Sequence, residues 1–239
     1  ALAAGSLDFC NALGGTSAIL AAANGVDLKI IGIYSRAPKA FTIMAIDPQI
    51  QSVADLKGKK VAGPQGTILH QLLLASLNKN SLSITDTQFI NMGIPQAMTA
   101  MLSGKVDAAL IAGPAVPKAL QNGARILTTG EGLLDATIVI AVNGKFLRDH
   151  PDLVKRYMKV HQQSLKYIKE NPEEVYKMAA EETGIGIDEV RQMMPWYDFN
   201  PEISASDIED LEKTQQFLLD NGMLKKKIDI QQLISRQVP

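Results

Sequence analysis

Residues 1–9 read ALAAGSLDF, and residues 100–108 read AMLSGKVDA. Ala1, Gly5, Leu7 and Asp8 align with Ala100, Gly104, Val106 and Asp107. Both stretches spell a helix end, a glycine stop, an apolar residue, an aspartate and the start of a strand. The likeness continues downstream. The first copy passes Gly14 and Gly15 into the helix-like AILAAANG and the strand-like KIIGI, and the second passes Gly113 and Pro114 into AVPKALQNG and RILTTG. Each helix stops at Asn-Gly and a β run follows. An internal repeat of this kind predicts two α/β lobes built alike.

Ahead of the second copy stands a complete unit: strand KKVAGP, a turn at Gln65 and Gly66, helix TILHQLLLASLNKN, strand TQFINMG, and a further helix beginning at Pro95. Short β runs alternating with amphipathic helices predict parallel βαβ units with right-handed crossovers. Ahead of the first copy there is no such unit, and a parallel sheet without its first strands leaves an edge unpaired. The expectation is therefore that the first lobe needs sequence upstream of Ala1. FTIMAI (41–46) and TIVIAV (137–142) bracket the complete unit and read as the two hinge strands. This places lobe one at residues 1–41 and 142–239, and lobe two at 42–141. The C-terminal third is helical: residues 150–171 begin with His-Pro, 172–184 run from Pro172 to Gly184, and 204–222 stop at Gly222. In the last of these, Ser206 with Glu209 fits a capping box, and Ile208, Leu211, Phe217 and Leu218 make an apolar face.

Composition excludes several function classes. Among 239 residues, 24 Lys and Arg balance 25 Asp and Glu, for a net charge of −1, so there is no basic field to hold a phosphate backbone. A nucleic-acid partner is not expected. Cys10 is the only cysteine, which rules out a disulfide within the chain and a cysteine zinc site; it reads as a small buried residue. No apolar run approaches the roughly 20 residues of a membrane span. Phosphate-binding, dinucleotide, metalloprotease and serine-hydrolase motifs are all missing, so no catalytic residue, metal or cofactor is predicted.

In their order, ALAAGSLDF, AAANGVDLKIIGI, SVADLKGKKVAGPQGT, SGKVDAAL before Gly-Pro, HPDLVKRYMKVHQQSLKYIKENPEEV and DNGMLKK resemble the periplasmic binding proteins for aliphatic sulfonates, taurine and nitrate, with the related pyrimidine and thiamine-precursor group. The resemblance covers Ala1 to about Ile230. It implies a type II periplasmic-binding fold of two Rossmann-like lobes that closes on a small ligand between them. It also implies an exported, monomeric protein that serves an ABC-transporter permease. Two alternatives share the fold: the effector domain of a transcription regulator, and a pyrimidine-precursor synthase. The lack of a helix-turn-helix weighs against the first, and the lack of a cysteine-rich iron-binding motif against the second.

The candidate ligand contacts follow from elementary chemistry. Turns at the carboxyl ends of parallel strands lead into helix N-termini, which carry free N–H groups and partial positive charge. Such termini bind anions. The candidates are Gly14, Gly15, Thr16 and Ser17 in lobe one; Gln65, Gly66 and Thr67 in lobe two; and Gly113 with Pro114 at a later strand end. Tyr34 and Ser35 end KIIGI on the same rim. Arg36 is a conceivable salt-bridge donor to an anion, with a solvated arginine as the alternative. His70, one turn into its helix, reads as a structural histidine. Trp196 and Tyr197 read as a packing anchor, and Asn91 and Asp135 as minor candidates near strand ends.

Overall fold

The two copies of the repeat end up in two different sheets, each built round an inserted antiparallel strand. In a computed structural model that describes residues 1–236, the chain divides into two units. The first comprises Ala1–Arg36, Thr137–Lys177 and the chain from Asp198 onward; the second comprises Ala37–Ala136 and Met178–Tyr197.

In the first unit, β1 (Phe9–Gly14), β2 (Leu28–Arg36) and β8 (Thr137–Asn143) form a sheet of order β1-β8-β2, with β8 antiparallel to both neighbours. In the second unit, β3 (Phe41–Ala45), β4 (Lys60–Gly63), β5 (Gln88–Asn91), β6 (Ala108–Ala112) and β7 (Arg125–Thr129) form a sheet of order β5-β4-β6-β3-β7. There β3 runs antiparallel between β6 and β7, while β4 pairs in parallel with β5 and β6. The repeat is thus structural. The paired runs β1 and β6, then β2 and β7, each flank one strand that enters from elsewhere in the chain.

This topology corrects the expected lobe boundaries. FTIMAI and TIVIAV lie inside sheets: β3 and β8 take up their hydrogen bonds immediately after the chain has changed unit. The changes fall between Arg36 and Ala37 and between Ala136 and Thr137. Residues 178–197 also leave the expected first lobe. Lys118 Nζ donates to Thr183 O at 2.6 Å, Gln121 Nε2 donates to Glu189 Oε1 at 2.7 Å, and Trp196 packs on the cluster of Met44, Ala62 and Met101.

Both sheets are covered on both faces. In the first unit, α1 (Gly15–Ala23) and α9 (Ala205–Asp220) bring Ile19, Leu211 and Leu218 onto Ile30, Ile33 and Val139. On the other face, α6 (Pro151–Glu170) brings Val154 and Met158 onto Ile31, Ile140 and Val142. The adjacent residues Val139 and Ile140 thus serve opposite faces, as the period of a strand requires. In the second unit, α2 (Ile68–Lys79) buries Leu69, Leu72, Leu73 and Leu77 against Ile43, Val61 and Leu110. The opposite face holds Ala97 and Met101 of α3 (Ile94–Leu102) and Val116 of α4 (Ala115–Gln121), packed on Met44 and Ile111. The remaining helices are α5 (Gly144–Asp149), α7 (Pro172–Thr183), α8 (Ile187–Met193) and α10 (Ile230–Leu233).

One polar assembly organises the first unit. Arg36, the last residue of β2, donates from Nε to Asp207 Oδ1 (2.5 Å), from Nη1 to Asp198 Oδ2 (3.0 Å) and Asn200 O (3.1 Å), and from Nη2 to Asp207 Oδ2 (2.6 Å) and Glu202 O (3.0 Å). All five N–H groups of the guanidinium are engaged within the protein, so Arg36 is a structural clasp and not a donor to ligand. Asp207 also caps α9: its carboxylate accepts from Ser204 N and Ser204 Oγ, and Ser204 Oγ accepts from Asp207 N. The capping box therefore stands two residues before the expected Ser206 and Glu209.

Burial pushes the Asp207 carboxyl up, but its bonds from Arg36 and Ser204 outweigh burial and hold it below the ordinary carboxylate value. A depressed carboxylate stabilises the fold above its unfolded-state value, and that contribution is lost as pH falls through the folded-state value. Asp207→Ala leaves the guanidinium without its bidentate partner. We expect a loss of about 3 kcal/mol at pH 7 and a shallower fall of stability between neutral and acid pH, both read from urea unfolding. Equal stability of variant and parent at pH 7 would refute the clasp.

Candidate functional site

In the second unit the carboxyl ends of β4, β5 and β6 lie side by side and lead to Gly63–Thr67, Asn91–Gly93 and Ala112–Pro114. In the first unit the register places Gly14, Ile138 and Ser35 in one row across β1, β8 and β2. The sequence-predicted residues therefore fall into two groups, one at each of these rims.

The helices that start at these rims share a property. No side chain caps the N-terminus of α1, α2, α3 or α4, where Gly14, Thr67, Gly93 and Pro114 hold the cap position. By contrast, α5, which starts at the opposite end of its sheet because β8 is antiparallel, is capped by Asn143. Ser204 and Asp229 likewise cap α9 and α10. The starts of α6 and α8 also lack a side-chain cap, so the feature is shared by the rim helices without being confined to them. No side chain supplies an acceptor at the four rim starts, and a helix N-terminus without one suits an anion.

The second-unit turn is held from behind. Gln65 N donates to Asn91 Oδ1 at 2.9 Å, and Gly66 N donates to His70 Nδ1 at 3.4 Å. Those two amides are directed into the protein. Thr67 Oγ1 donates to Pro64 O at 2.9 Å, so its one proton is also engaged and its hydroxyl is no ready donor to an anion. What the turn can present is the start of α2. Gly66 has φ +73°, the left-handed region that a side chain resists, and this requires glycine whether or not a ligand binds. Gly113 is similar, at φ +58°, and Tyr197 Oη would stand 3.6 Å from a Cβ placed on it. Tyr197 thus borders the turn that precedes Pro114, while its neighbour Trp196 is a packing residue as expected.

In the first unit, Gly15 is a packing glycine. A Cβ there would meet Leu211 Cδ2 at 2.8 Å and Thr137 O at 3.1 Å, so the start of α1 can approach α9 and β8 only without a side chain. Thr16 is buried and Ser17 half-buried, and both already make contacts of their own. Tyr34 turns its ring to α6 and the 198–204 loop, with centroids 6.2 Å from His161 and 6.2 Å from Phe199. Ser35 behaves differently. It is fully buried, and its Oγ makes no hydrogen bond within the protein. A buried hydroxyl without a partner costs about 1–3 kcal/mol, and its place in the row with Gly14 makes it a better candidate than Tyr34. Sequence alone ranked it low, because a serine at a strand end carries no mark of burial. Asp135 is exposed, outside both rims.

Among the described residues no group of three or more His, Cys, Asp or Glu is placed to hold a metal ion. No helix there is long and apolar enough to cross a membrane.

The model of the family described as "NMT1/THI5 like" matches residues 1–175. The chain belongs to that family. Over 237 residues it is 30% identical to a putative aliphatic sulfonates-binding protein of Bacillus subtilis (strain 168), covering 98% of this chain and 71% of the relative. A putative aliphatic sulfonates-binding protein of Escherichia coli (strain K12) is 40% identical over 135 residues, which are 56% of this chain and 42% of that protein. Among solved structures, the alkanesulfonate-binding protein SsuA from Xanthomonas axonopodis pv. citri, bound to MOPS, superposes with a TM-score of 0.90 at 26% identity, over 98% of this chain and 82% of that one. The fold is thus that of the periplasmic binding proteins, as the order of motifs implied. An enzyme shares it: the desulfurization enzyme DSZB matches with a TM-score of 0.73 at 19% identity, over 94% of this chain and 82% of that one, a likeness of fold alone.

Because φ at Gly66 is set by the backbone, Gly66→Ala should lower ligand-free stability by about 1 kcal/mol or more, measured by urea unfolding. An unchanged midpoint would show that the turn can relax and that the glycine serves the ligand only.

Proposed function

We propose that this protein is the solute-binding component of an ABC importer, acting outside the cytoplasm, and that its ligand is a small organic anion of the sulfonate type. The observation that carries the reading is the start of α2, which follows the carboxyl end of β4 and which no side chain caps. An oxyanion with three equivalent acceptor oxygens suits the successive N–H donors of a helix start, and it needs no cation in the site. The relatives named for aliphatic sulfonates point the same way. A permease partner and a binding role without catalysis follow from the same kinship.

Titration calorimetry with ethanesulfonate, taurine and propanoate tests the ligand class. A sulfonate should bind at least about tenfold more tightly than propanoate, a difference of about 1.4 kcal/mol. Failure of every sulfonate to bind would overturn the reading.

Ser35→Ala gives a sharper test. Because Ser35 Oγ has no partner within the protein, removing it should raise ligand-free stability by about 1 kcal/mol while weakening sulfonate binding at least about tenfold. Stability and affinity moving in the same direction would place the ligand elsewhere.

A further inference from the structure

His70 is the third residue of α2, and its ring is buried and stacked on Phe89 of β5, with centroids 4.8 Å apart and planes 24° from parallel. Its Nδ1 accepts the N–H of Gly66 at 3.4 Å. This resembles a capping box in which the third helical residue reaches back across the cap, one position further than usual, with an imidazole nitrogen in place of a carboxylate. The substitution matters. A carboxylate accepts across most of the pH range, whereas an imidazole accepts at Nδ1 only while that nitrogen is unprotonated.

We propose that His70 is a positioning residue for ligand binding, whose neutral ring holds the Gln65–Thr67 turn in its binding shape and whose protonation releases that turn and the ligand with it. The proposal rests on the reading of the α2 N-terminus as a ligand contact.

A protonated Nδ1 turns its own N–H toward the N–H of Gly66, so attraction becomes repulsion. The repulsion falls on Gly66, which at φ +73° and without a side chain has more backbone conformations open to it than any other residue type. Gln65 stays tied to Asn91 Oδ1, which concentrates the change at Gly66 and Thr67, next to the uncapped start of α2.

Among the described residues, those packed on α2 are apolar apart from Asp55. Phe89 faces the ring from β5. From β3, β6 and the turn Val53–Leu56, α2 meets the apolar Ile43, Leu110, Val53 and Leu56. The carboxylate in that turn, Asp55, accepts from Gln51 and Ser52. Burial alone pushes the His70 imidazole below its ordinary value, and the positive end of α2 acts in the same sense. The neutral ring therefore persists to mildly acid pH. Its contribution is full above the ordinary histidine value and is lost as pH falls through the folded-state value.

Ethanesulfonate is the probe, since its charge is constant across the range. In the unaltered protein, affinity should hold near neutral pH and then fall about tenfold per pH unit below the His70 titration point, the slope of one linked proton. His70→Asn, which keeps a neutral acceptor at the same branch, should bind with a flat pH profile. Amide NMR of the ligand-free protein supplies an independent arm: the Gly66 N–H resonance should move with the same midpoint as the His70 ring nitrogens. If His70 titrates while the Gly66 amide stays still, or if His70→Asn keeps the pH dependence, the proposal fails. If the amide tracks the ring but no sulfonate binds at neutral pH, the coupling stands and the sulfonate reading alone is overturned.

Discussion

The planar fork of the Arg36 guanidinium is the constraint from which much of the first unit follows. Its five N–H groups demand acceptors in a fixed plane, and they receive two carboxylates and two backbone carbonyls from residues 198–207. The same segment is stitched to β2 by backbone, since Ile33 N donates to Pro201 O and Arg36 N donates to Asp198 O. Once Asp207 is fixed, so is the start of α9. One turn further on, Asp210 accepts from Thr137 and Leu211 rests over Gly15. The position of the α1 N-terminus is therefore inherited from a guanidinium on another strand. A lysine could carry the charge at residue 36 but could not satisfy this set of acceptors, because its single ammonium lacks the bidentate fork.

Much of the architecture was legible because its signals are local. Proline starts and glycine or asparagine stops mark α6, α7 and α9, and the repeat in residues 1–9 and 100–108 marks equivalent places in two sheets. What escaped depends on partners distant in sequence. FTIMAI and TIVIAV look like connectors because each lies between units in chain order; only strand pairing shows them to be interior strands, β3 between β6 and β7 and β8 between β1 and β2. The capping box was misplaced by two residues because Ser204 and Ser206 are equivalent by local rule. Asp207 decides between them, and it is fixed by an arginine 171 residues away.

The candidate site shows the same division. That Gln65, Gly66, Thr67, Gly113 and Pro114 stand at the carboxyl ends of neighbouring strands is readable from the βα turns. The roles within the site were not readable. Gly15 answers to Leu211, Gly66 to its own φ, and the Thr67 hydroxyl to Pro64 O, so several residues chosen as ligand contacts also have structural duties. Ser35 and His70 stand out only in the structure, because burial and an unpaired or singly paired polar atom are properties of the folded state.

The interrupted chain path also sets a timetable for synthesis. The sheet of the second unit draws its strands from residues 41–129, which leave the ribosome as one block. The first unit cannot join β1 to β2 until β8 has been made, and Arg36 must wait for Asp207, 171 residues later. The unit that holds β1 and β2 is thus the last to be locked, although those strands are made before the sheet of the second unit.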